Sequence, residues 1–437
     1  MPAINRRLIV DLSPLRESRD YRFLFAGQAL AHLGSQITVV AIPLQVYFLT
    51  RSSFAVGMIG LVSLVPLVAI TLFGGAVADA VDRRKLLLVT QLALATTSAV
   101  LALNAGRGRA GLWVVYGCAA LTSGLAGIDL PTRNAILPNL VRREQFVAAA
   151  SLGQVLFQVG QVAGPAVAGV IIGQSSLATA YWVDAVLSVA AMGGTFAIRP
   201  QPPQGGGTRA GLASVMEGLR YLKGRRALIG TFVIDINAMV FGMPRALFPA
   251  LGTGLYGGGA ATVGLLYAAP GAGALVGALL TGWVGRVRWQ GRAVIIAVIG
   301  WGAAIAAFGL VSWLPLGLFL LALAGAADVI SAVFRSTILQ LSTPDALRGR
   351  LNAVHIAVVT GGPRLGDAES GVVAAATTPR FSVVSGGVAC IAGALLVAKL
   401  LPELTHYDGL ERPAETPPYT SGREPDQATG QGEAPTP

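Results

Sequence analysis

Long stretches without a charged residue divide the chain into segments of membrane-spanning length. Four of them follow the first 22 residues, a fifth is long enough for two helices and breaks at 173–176, and six more follow residue 226. An apolar helix needs about 20 residues to cross a bilayer. The pattern therefore predicts twelve transmembrane helices, at 23–50, 52–78, 86–106, 110–140, 145–173, 176–198, 227–251, 260–285, 293–312, 316–341, 351–376 and 381–401.

The predicted helices form two groups of six, separated by a polar segment at 199–226 that contains Pro-Gln-Pro-Pro and a run of three glycines. Such a composition is typical of a linker. We therefore expect an all-α polytopic membrane protein with an N-terminal segment at 1–22, six-helix halves at 23–198 and 227–401, and a tail at 402–437. The tail is rich in Pro, Gly, Glu and Thr after Asp408, which predicts disorder there.

Composition and charge agree with this assignment. Only 12% of the residues are charged and 54% are hydrophobic, whereas soluble domains carry about 25% charged residues. Of the 32 Lys and Arg residues, 24 lie on the side of both termini and 4 on the opposite side, the others being within or near the spans. Cytoplasmic loops carry such an excess, so we expect both termini in the cytoplasm and a location in the cytoplasmic membrane. The net charge of +11 then reflects topology and not binding of nucleic acid.

A weak internal repeat relates the two halves. Arg133-Asn-Ala-Ile-Leu137 at the end of helix 4 is similar to Arg335-Ser-Thr-Ile-Leu339 at the end of helix 10, and Gly-Pro pairs occur in helices 5 and 11. Repeats of this kind are common in transporters, whose substrate site lies between the halves near the middle of the membrane. The repeat therefore favours a transporter.

The loop between helices 2 and 3 carries the most specific motif, Gly75-Ala-Val-Ala-Asp79-Ala-Val-Asp82-Arg83-Arg84-Lys85. It resembles the G-x-x-x-D-x-x-G-R-R/K signature of the major facilitator superfamily. The resemblance implies that Gly75, Asp79, Arg83 and Arg84 form a gating motif that stabilises one conformational state. Asp82 stands where the family usually has glycine, which leaves the geometry of the turn open.

Helix 5 carries a second motif, in which Gly160, Gly164, Pro165 and Gly169 lie at spacings of four or five residues. It resembles the G-x-x-x-G-P-x-x-G-G signature of exporters within the superfamily, although small residues at this spacing also serve general helix packing. Helix 4 lacks the R-x-x-Q-G signature of proton-coupled drug antiporters and has Ala-Leu-Thr-Ser-Gly at 120–124 instead.

Segments in both halves, at 248–251, 264–269 and 343–352, extend the resemblance to the enterobactin (siderophore) exporter subfamily. The resemblance implies export of a siderophore or a similar small organic metabolite by proton antiport, by a monomer that works without a cofactor or a bound metal. Related macrolide and multidrug exporters share much of the pattern. Multidrug efflux therefore remains an alternative, and a membrane receptor or a lipid-moving protein is a third.

Ionisable residues within spans are costly and usually functional. We expect Asp129 and Arg133 to pair because they are four residues apart on one helix, and Arg364 and Asp367 to pair in helix 11. We also expect Asp184 to lie too near the outer surface to take part. The candidates for substrate contact or ion coupling are His32, Gln36, Asp129, Arg133, Asp235, Asp328, Arg335 and Glu369.

The sequence carries no signature of an enzyme or of a nucleotide-driven pump. The phosphate-binding motif G-x-x-x-x-G-K-[ST] is absent, as are H-E-x-x-H and G-x-S-x-G. Transport must then use an ion gradient or a partner. The resemblance to the superfamily implies proton antiport, in which protonation of a buried acid shifts the balance between two conformations.

Overall fold

The computed structural model describes residues 11–202, 216–217 and 220–409, with the side chains at 71–80, 130, 345–346 and 353 excepted. Twelve long helices follow one another in the described part of the chain. They are α1 (Arg19–Thr50), α2 (Ser53–Ala80), α3 (Arg83–Gly106), α4 (Leu112–Leu140), α5 (Phe146–Gln174), α6 (Leu177–Phe196), α7 (Arg226–Phe241), α8 (Gly259–Leu279), α9 (Gln290–Leu310), α10 (Leu314–Leu341), α11 (Asp345–Ala376) and α12 (Pro379–Leu400).

Eleven segments built on these helices are long and apolar enough to cross a membrane, counted over the described residues. The remaining long helix, α11, is also 32 residues long, but it carries more charge than the others. Arg348, Arg350, Arg364, Asp367 and Glu369 all lie on it, and they lower its hydropathy. The all-α, twelve-helix architecture predicted from the sequence is confirmed.

Short polar side chains begin several of the helices. The hydroxyl oxygens of Ser18, Ser52, Ser176 and Thr378 each accept a hydrogen bond from the backbone N–H three residues later, at 3.1–3.3 Å. A capping side chain satisfies one of the N–H groups that the first turn of a helix leaves without a partner. These caps mark where the chain turns back into the bundle.

Helix α7 is shorter than the sequence predicts. The expected span at 227–251 is interrupted after Phe241 by Gly242-Met243-Pro244, because proline has no N–H to continue the helical hydrogen bonds. The indole N–H of Trp301 donates to the carbonyl oxygen of Gly242 at 2.9 Å and so satisfies an acceptor at the break. The chain then continues through a 3₁₀ turn, Arg245–Leu247, and irregular helical turns to Leu255.

The helices pack as two halves. Within the first half α6 lies against α1 and α3, and within the second half α9 lies against α10 and α12. Between the halves, α2 packs on α11 and α5 packs on α8. We call the end of the bundle that holds the α1–α2 and α11–α12 connections the distal end, and the opposite end the proximal end.

The two contacts between halves are closest at glycines near the distal end. A side chain at Gly57 of α2 would meet Gly371 of α11 at 3.0 Å, and one at Gly169 of α5 would meet Gly264 of α8 at 3.0 Å. Gly57 lies in the second turn of α2, and Gly371 in the last two turns of α11. Backbones approach this closely only where small residues allow it, so the halves are tightly closed at the distal end.

The first residues of the expected tail are folded. Pro402–Thr405 forms a short helix, and the Asp408 carboxylate pairs with Arg288 at 2.6 Å. Tyr407 and Ser342 form a hydrogen bond of 2.9 Å between their hydroxyl groups. The disorder predicted beyond Asp408 falls on residues 410–437, which lie outside the described residues.

Candidate functional site

The loop between α2 and α3 places Asp82 at the N-cap of α3. Its Oδ1 accepts from the N–H of Lys85 and its Oδ2 from the N–H of Gln201, both at 3.1 Å. The backbone of Asp82 has φ −59°, a conformation that any residue adopts. Glycine is therefore unnecessary at this position, and the aspartate ties the start of the linker to α3.

The basic residues of this loop hold helix ends together within the first half. Arg83 donates from Nη1 to the carbonyl oxygen of Ala135 in α4 at 3.1 Å. Arg84 donates to the carbonyl oxygens of Thr195 and Phe196, at 3.3 Å and 2.5 Å, at the end of α6. Arginine is favourable there because the C-terminus of a helix carries partial negative charge. Gly75 and Asp79 lie in the last turns of α2. The side chains at 71–80 are outside the described residues, so the gating role of this motif stays a prediction.

Replacing Asp82 by Ala removes the cap of α3 and the anchor of the linker together. We expect the free energy of unfolding to fall by about 1 kcal/mol, the usual cost of losing an N-cap. Asp82→Asn keeps an oxygen at the cap and serves as the control. Thermal unfolding of the purified protein measures the difference, and an Ala variant as stable as the Asn variant would contradict the cap.

The glycines of the α5 motif make room for the polar face of α1. A side chain at Gly160 would collide with the ring of His32, and one at Gly164 would collide with Gln36. His32 stacks on Phe157 with 5.0 Å between ring centroids. Gln36 donates from Nε2 to Oε1 of Gln161.

The other side of the same motif faces the second half of the protein. A side chain at Gly264 of α8 would lie 2.5 Å from the carbonyl oxygen of Pro165, and Gly169 faces Gly264 as described above. The motif therefore brings α5 close to α1 within its own half and to α8 across the seam.

A charged pair lies on α4. Arg133 Nε is 2.5 Å from Asp129 Oδ2, and both side chains are largely buried, as the spacing of four residues predicts. The guanidinium group is also a charged neighbour of His32 on α1. The arginine side chain reaches back along its helix, the usual direction for long side chains, and so lies deeper in the bundle than its Cα position.

A second charged cluster joins α7 to α10. Arg335 Nη2 lies 2.8 Å from Asp235 Oδ1 and 3.8 Å from Asp328 Oδ1. Its Nη1 donates to Ser331 Oγ at 2.7 Å. The exposed fractions are 3% for Arg335, 1% for Asp235 and 26% for Asp328, so one acid is sealed and the other reaches accessible space. We call Asp235, Arg335 and Asp328 the triad.

The two charged clusters occupy related places in the halves. Arg133 and Arg335 hold the same position in the five-residue repeat, on the fourth helix of each half. Each has an ionisable neighbour on the first helix of its own half, His32 on α1 and Asp235 on α7. In each half, then, an arginine of the fourth helix lies near an ionisable residue of the first helix. That residue is a histidine in the first half and an aspartate in the second.

One arginine connects the halves directly. Arg364 on α11 donates from Nη2 to Ser123 Oγ on α4 at 3.0 Å and from Nη1 to the carbonyl oxygen of Thr360. Arg364 and Asp367, expected to pair, interact electrostatically but are not in direct contact among the described residues. Asp367 instead accepts from the N–H of Ala246, after the break in α7, at 3.2 Å. Glu369 is half-buried on α11.

Ser123→Ala removes the side-chain hydrogen bond between the halves. A hydrogen bond to a charged group contributes about 1.5 kcal/mol. We therefore expect the ratio of molecules open at the distal end to molecules closed there to rise about tenfold. Spin labels at Arg109→Cys and Thr377→Cys, in distal loops of the two halves, report the separation as a longer distance. Ser151→Ala removes a hydroxyl that bonds only within α5 and should leave the distances unchanged. Equal distributions of the spin-label distance in both variants would mean that Ser123 does not stabilise the closed distal end.

Asp184 lies in the third turn of α6 from the distal end, and the sequence analysis did not foresee its surroundings. Its side chain is 5% exposed, and its carboxylate accepts from Thr38 and Ser98 at 2.5 Å and 2.7 Å. Ser188, one turn further along α6, lies 3.4 Å away. An acid followed four residues later by a serine was the available signal, because residues at that spacing share a helix face.

No metal centre is built into the described part of the molecule: among those residues no group of three or more His, Cys, Asp and Glu side chains is arranged to hold a metal ion. The ionisable groups are arranged instead as pairs and a triad within the bundle. Buried charges of this kind within membrane helices are typical of substrate and ion pathways.

Two six-helix halves, related by a repeat and meeting around buried charges, define a transporter of the major facilitator superfamily. Residues 9–418 match the family described as a transmembrane secretion effector, and the chain belongs to this family. The enterobactin exporter EntS of Escherichia coli K12 is 27% identical over 418 residues, covering 94% of this chain and 98% of that protein. EntS of Citrobacter koseri is 28% identical over 404 residues, covering 91% and 96%.

Solved structures show the same fold. The nucleoside transporter NupG superposes with a TM-score of 0.73 at 13% identity, covering 87% of this chain and 99% of NupG. A D-xylose–proton symporter superposes with a TM-score of 0.69 at 13% identity, covering 88% and 98%. At these identities the likeness concerns the fold and not the substrate.

Proposed function

We propose that this protein exports a siderophore of the catecholate type across the cytoplasmic membrane, as a monomer and in exchange for protons. The nearly full-length similarity to enterobactin exporters supports the substrate class. The concentration of Lys and Arg on the side of both termini supports a cytoplasmic position for the proximal end. Multidrug efflux is the competing function, and the experiment below separates the two.

The observation that carries proton coupling is the triad, in which one arginine faces two carboxylates. With both acids ionised the triad itself has a net charge of −1, and its further charged neighbour Arg245 is shared with Asp367. A net charge is unfavourable away from water unless it is compensated. Binding of one proton makes the triad neutral. Asp328 is the acid that reaches accessible space, at 26% exposure, and is therefore the group through which the proton enters.

Protonation would also change which acid holds Arg335. Arg335 is close to Asp235 at 2.8 Å and farther from Asp328 at 3.8 Å. A proton on either acid weakens its attraction for the guanidinium group, so α7 and α10 would be held together differently in the two states. A difference of this kind between states is what allows a proton gradient to drive a conformational change.

The closed distal end supports assignment to an inward-facing state. The glycine contacts of α2 with α11 and of α5 with α8 lie near that end, and the bond from Arg364 to Ser123 joins the halves deeper in the bundle. Export requires this seam to open while the proximal ends close. Arg133 and Arg364 are then suitably placed, on facing halves, to bind the oxygens of an anionic substrate, since guanidinium groups pair well with such oxygens.

The test measures efflux from cells that lack their own siderophore and drug exporters. Cells expressing the protein are preloaded with a catecholate siderophore, or separately with macrolides and cationic dyes, with and without a protonophore. We expect siderophore release at least tenfold above the background, abolished by the protonophore. Broad release of drugs without release of siderophore would replace the proposal by multidrug efflux, and release insensitive to the protonophore would refute proton coupling.

A further inference from the structure

The first half contains a buried acid that the transport scheme above does not use. Asp184 lies on α6 and contacts hydroxyl groups from three helices: Thr38 of α1, Ser98 of α3 and Ser188 of α6 itself. The approach of α1 depends on Gly34, where any side chain would collide with Asp184 Oδ1. Residues of α1 and α3, together with Ser188 of α6, therefore form the surroundings of this carboxyl group.

The two carboxylate oxygens of Asp184 have different hydrogen-bond partners. Oδ2 accepts two short hydrogen bonds, of 2.5 Å from Thr38 and 2.7 Å from Ser98. Oδ1 has a single, long contact of 3.4 Å with Ser188 among the described residues and faces the space beside Gly34. Two strong donors therefore occupy one oxygen and leave the lone pairs of the other available.

No cationic side chain compensates this carboxylate in the described structure. The charged residues of α3 are in its first turn, and Ser98 is thirteen residues beyond the last of them, Lys85, about 20 Å along the helix. Those of α1 are also in its first turns, apart from His32, which stacks on Phe157 of α5. No charged residue occurs in α5, and Asp184 is the one charged residue of α6. The titratable group that interacts with Asp184 is Tyr181, which supplies no positive charge.

An isolated carboxylate in a water-poor interior requires a compensating cation. We propose that Asp184 is an ion site of the first half, where Oδ1 binds one monovalent cation, either a proton or Na⁺. Both ions satisfy the same chemistry, because Na⁺, as a hard cation, prefers oxygen ligands and the hydroxyls of Ser98, Thr38 and Ser188 surround the carboxyl group. The site is independent of the triad and of the identity of the substrate.

The first experiment uses infrared spectroscopy of the purified full-length protein, with aspartate labelled by ¹³C in the carboxyl group. For a bound proton we expect the wild type, at neutral pH in Na⁺-free buffer, to show a carbonyl band of a protonated acid that Asp184→Asn lacks. A band from a protonated acid of the triad would be present in both proteins. Asp129→Asn is the matched control: its carboxylate pairs with Arg133, so its removal should leave the band in place.

The second experiment replaces K⁺ by Na⁺ at constant ionic strength and follows thermal unfolding. If Na⁺ is the ion, the unfolding midpoint rises with Na⁺ in the wild type and not in Asp184→Asn, and the two proteins show the same protonated-acid bands. A wild type with neither the Asp184-dependent band nor the response to Na⁺ would overturn the proposal, leaving an ionised aspartate held by hydroxyls alone.

A second variant, which keeps the carboxyl group of Asp184, tests the same site in case Asp184→Asn does not fold. Thr38→Val removes the donor at 2.5 Å while nearly preserving the shape of the side chain. We expect it to shift the frequency of the protonated-acid band or, if Na⁺ is bound, to weaken the apparent Na⁺ affinity at least tenfold. A spectrum and a Na⁺ response both identical to those of the wild type would contradict the site.

Discussion

Asp235→Asn is expected to abolish proton-driven efflux while leaving substrate exchange largely intact. Asparagine resembles a protonated aspartate that cannot release its proton, so Arg335 would remain with Asp328 alone and the triad would stay neutral throughout the cycle. Reconstituted vesicles separate the two activities. Uptake driven by an imposed pH gradient should fall at least tenfold, whereas counterflow between equal concentrations of substrate should stay within about twofold of the wild type, since a coupling group acts through differential stabilisation of states.

The control for this variant is Asp20→Asn. Asp20 lies in the first turn of α1 at the proximal end and is 3.9 Å from the exposed Arg199, so its loss should change neither activity. If Asp235→Asn reduces both activities together, Asp235 contributes to folding or binding and not to coupling. Unchanged proton-driven transport in Asp235→Asn would exclude the triad as the coupling site.

The arginine of the triad allows a thermodynamic cross-check on the same argument. Arg335→Gln removes the counter-ion of the buried Asp235 and the nearest cation of the partly exposed Asp328, and breaking a buried ion pair in this way costs about 3–5 kcal/mol. The double variant Asp235→Asn with Arg335→Gln removes one charge of each sign and should recover most of that stability. Additive losses in the double variant would mean that the two side chains do not interact.

Gly164→Leu is expected to prevent α1 from packing against α5. A side chain at Gly164 collides with Gln36, and the bond between Gln36 and Gln161 would be lost with it. Overpacking a close contact typically costs about 1–3 kcal/mol, and leucine is far larger than the first carbon atom that already collides. We expect loss of transport and a lower thermal unfolding midpoint, measured on the purified protein.

The matched control is Gly153→Leu on the same helix. A side chain at Gly153 meets no atom within 4 Å, and leucine is a better helix former than glycine. This variant should be at least as stable as the wild type and should transport normally. Equal damage in both variants would mean that α5 is sensitive to composition and that the contact with α1 has no special role.

Properties that repeat along a single helix were predictable. The number of spans follows from stretches of apolar residues, and the i, i+4 pair of Asp129 and Arg133 follows from the helical period. The interruption of α7 at Pro244 was missed, although the residue is visible in the sequence. Prolines also occur inside continuous helices here, for example Pro165 in α5, so proline alone does not locate a break.

Relations between helices were not predictable in the same way. The sequence marks Asp235, Asp328 and Arg335 as candidates, but nothing in it shows that Arg335 binds Asp235 of α7 more closely than Asp328 of its own helix. For Arg364 the sequence indicated only the nearby Asp367, with which it interacts electrostatically, and gave no sign that the guanidinium group reaches Ser123 in the other half.

The amino-acid sequence was enough to identify the class of protein, the twelve helices and the charged residues within spans that call for a function, and it predicts cytoplasmic termini. Only the packed helices show that the α5 glycines face His32 and Gln36, that one arginine lies between two acids, and that Asp184 is buried among hydroxyls. A helix fixes its own contacts through its period, whereas the neighbour of each face depends on how every helix is rotated and packed. That choice is made by many small packing contacts summed over the whole bundle, and no local pattern contains it.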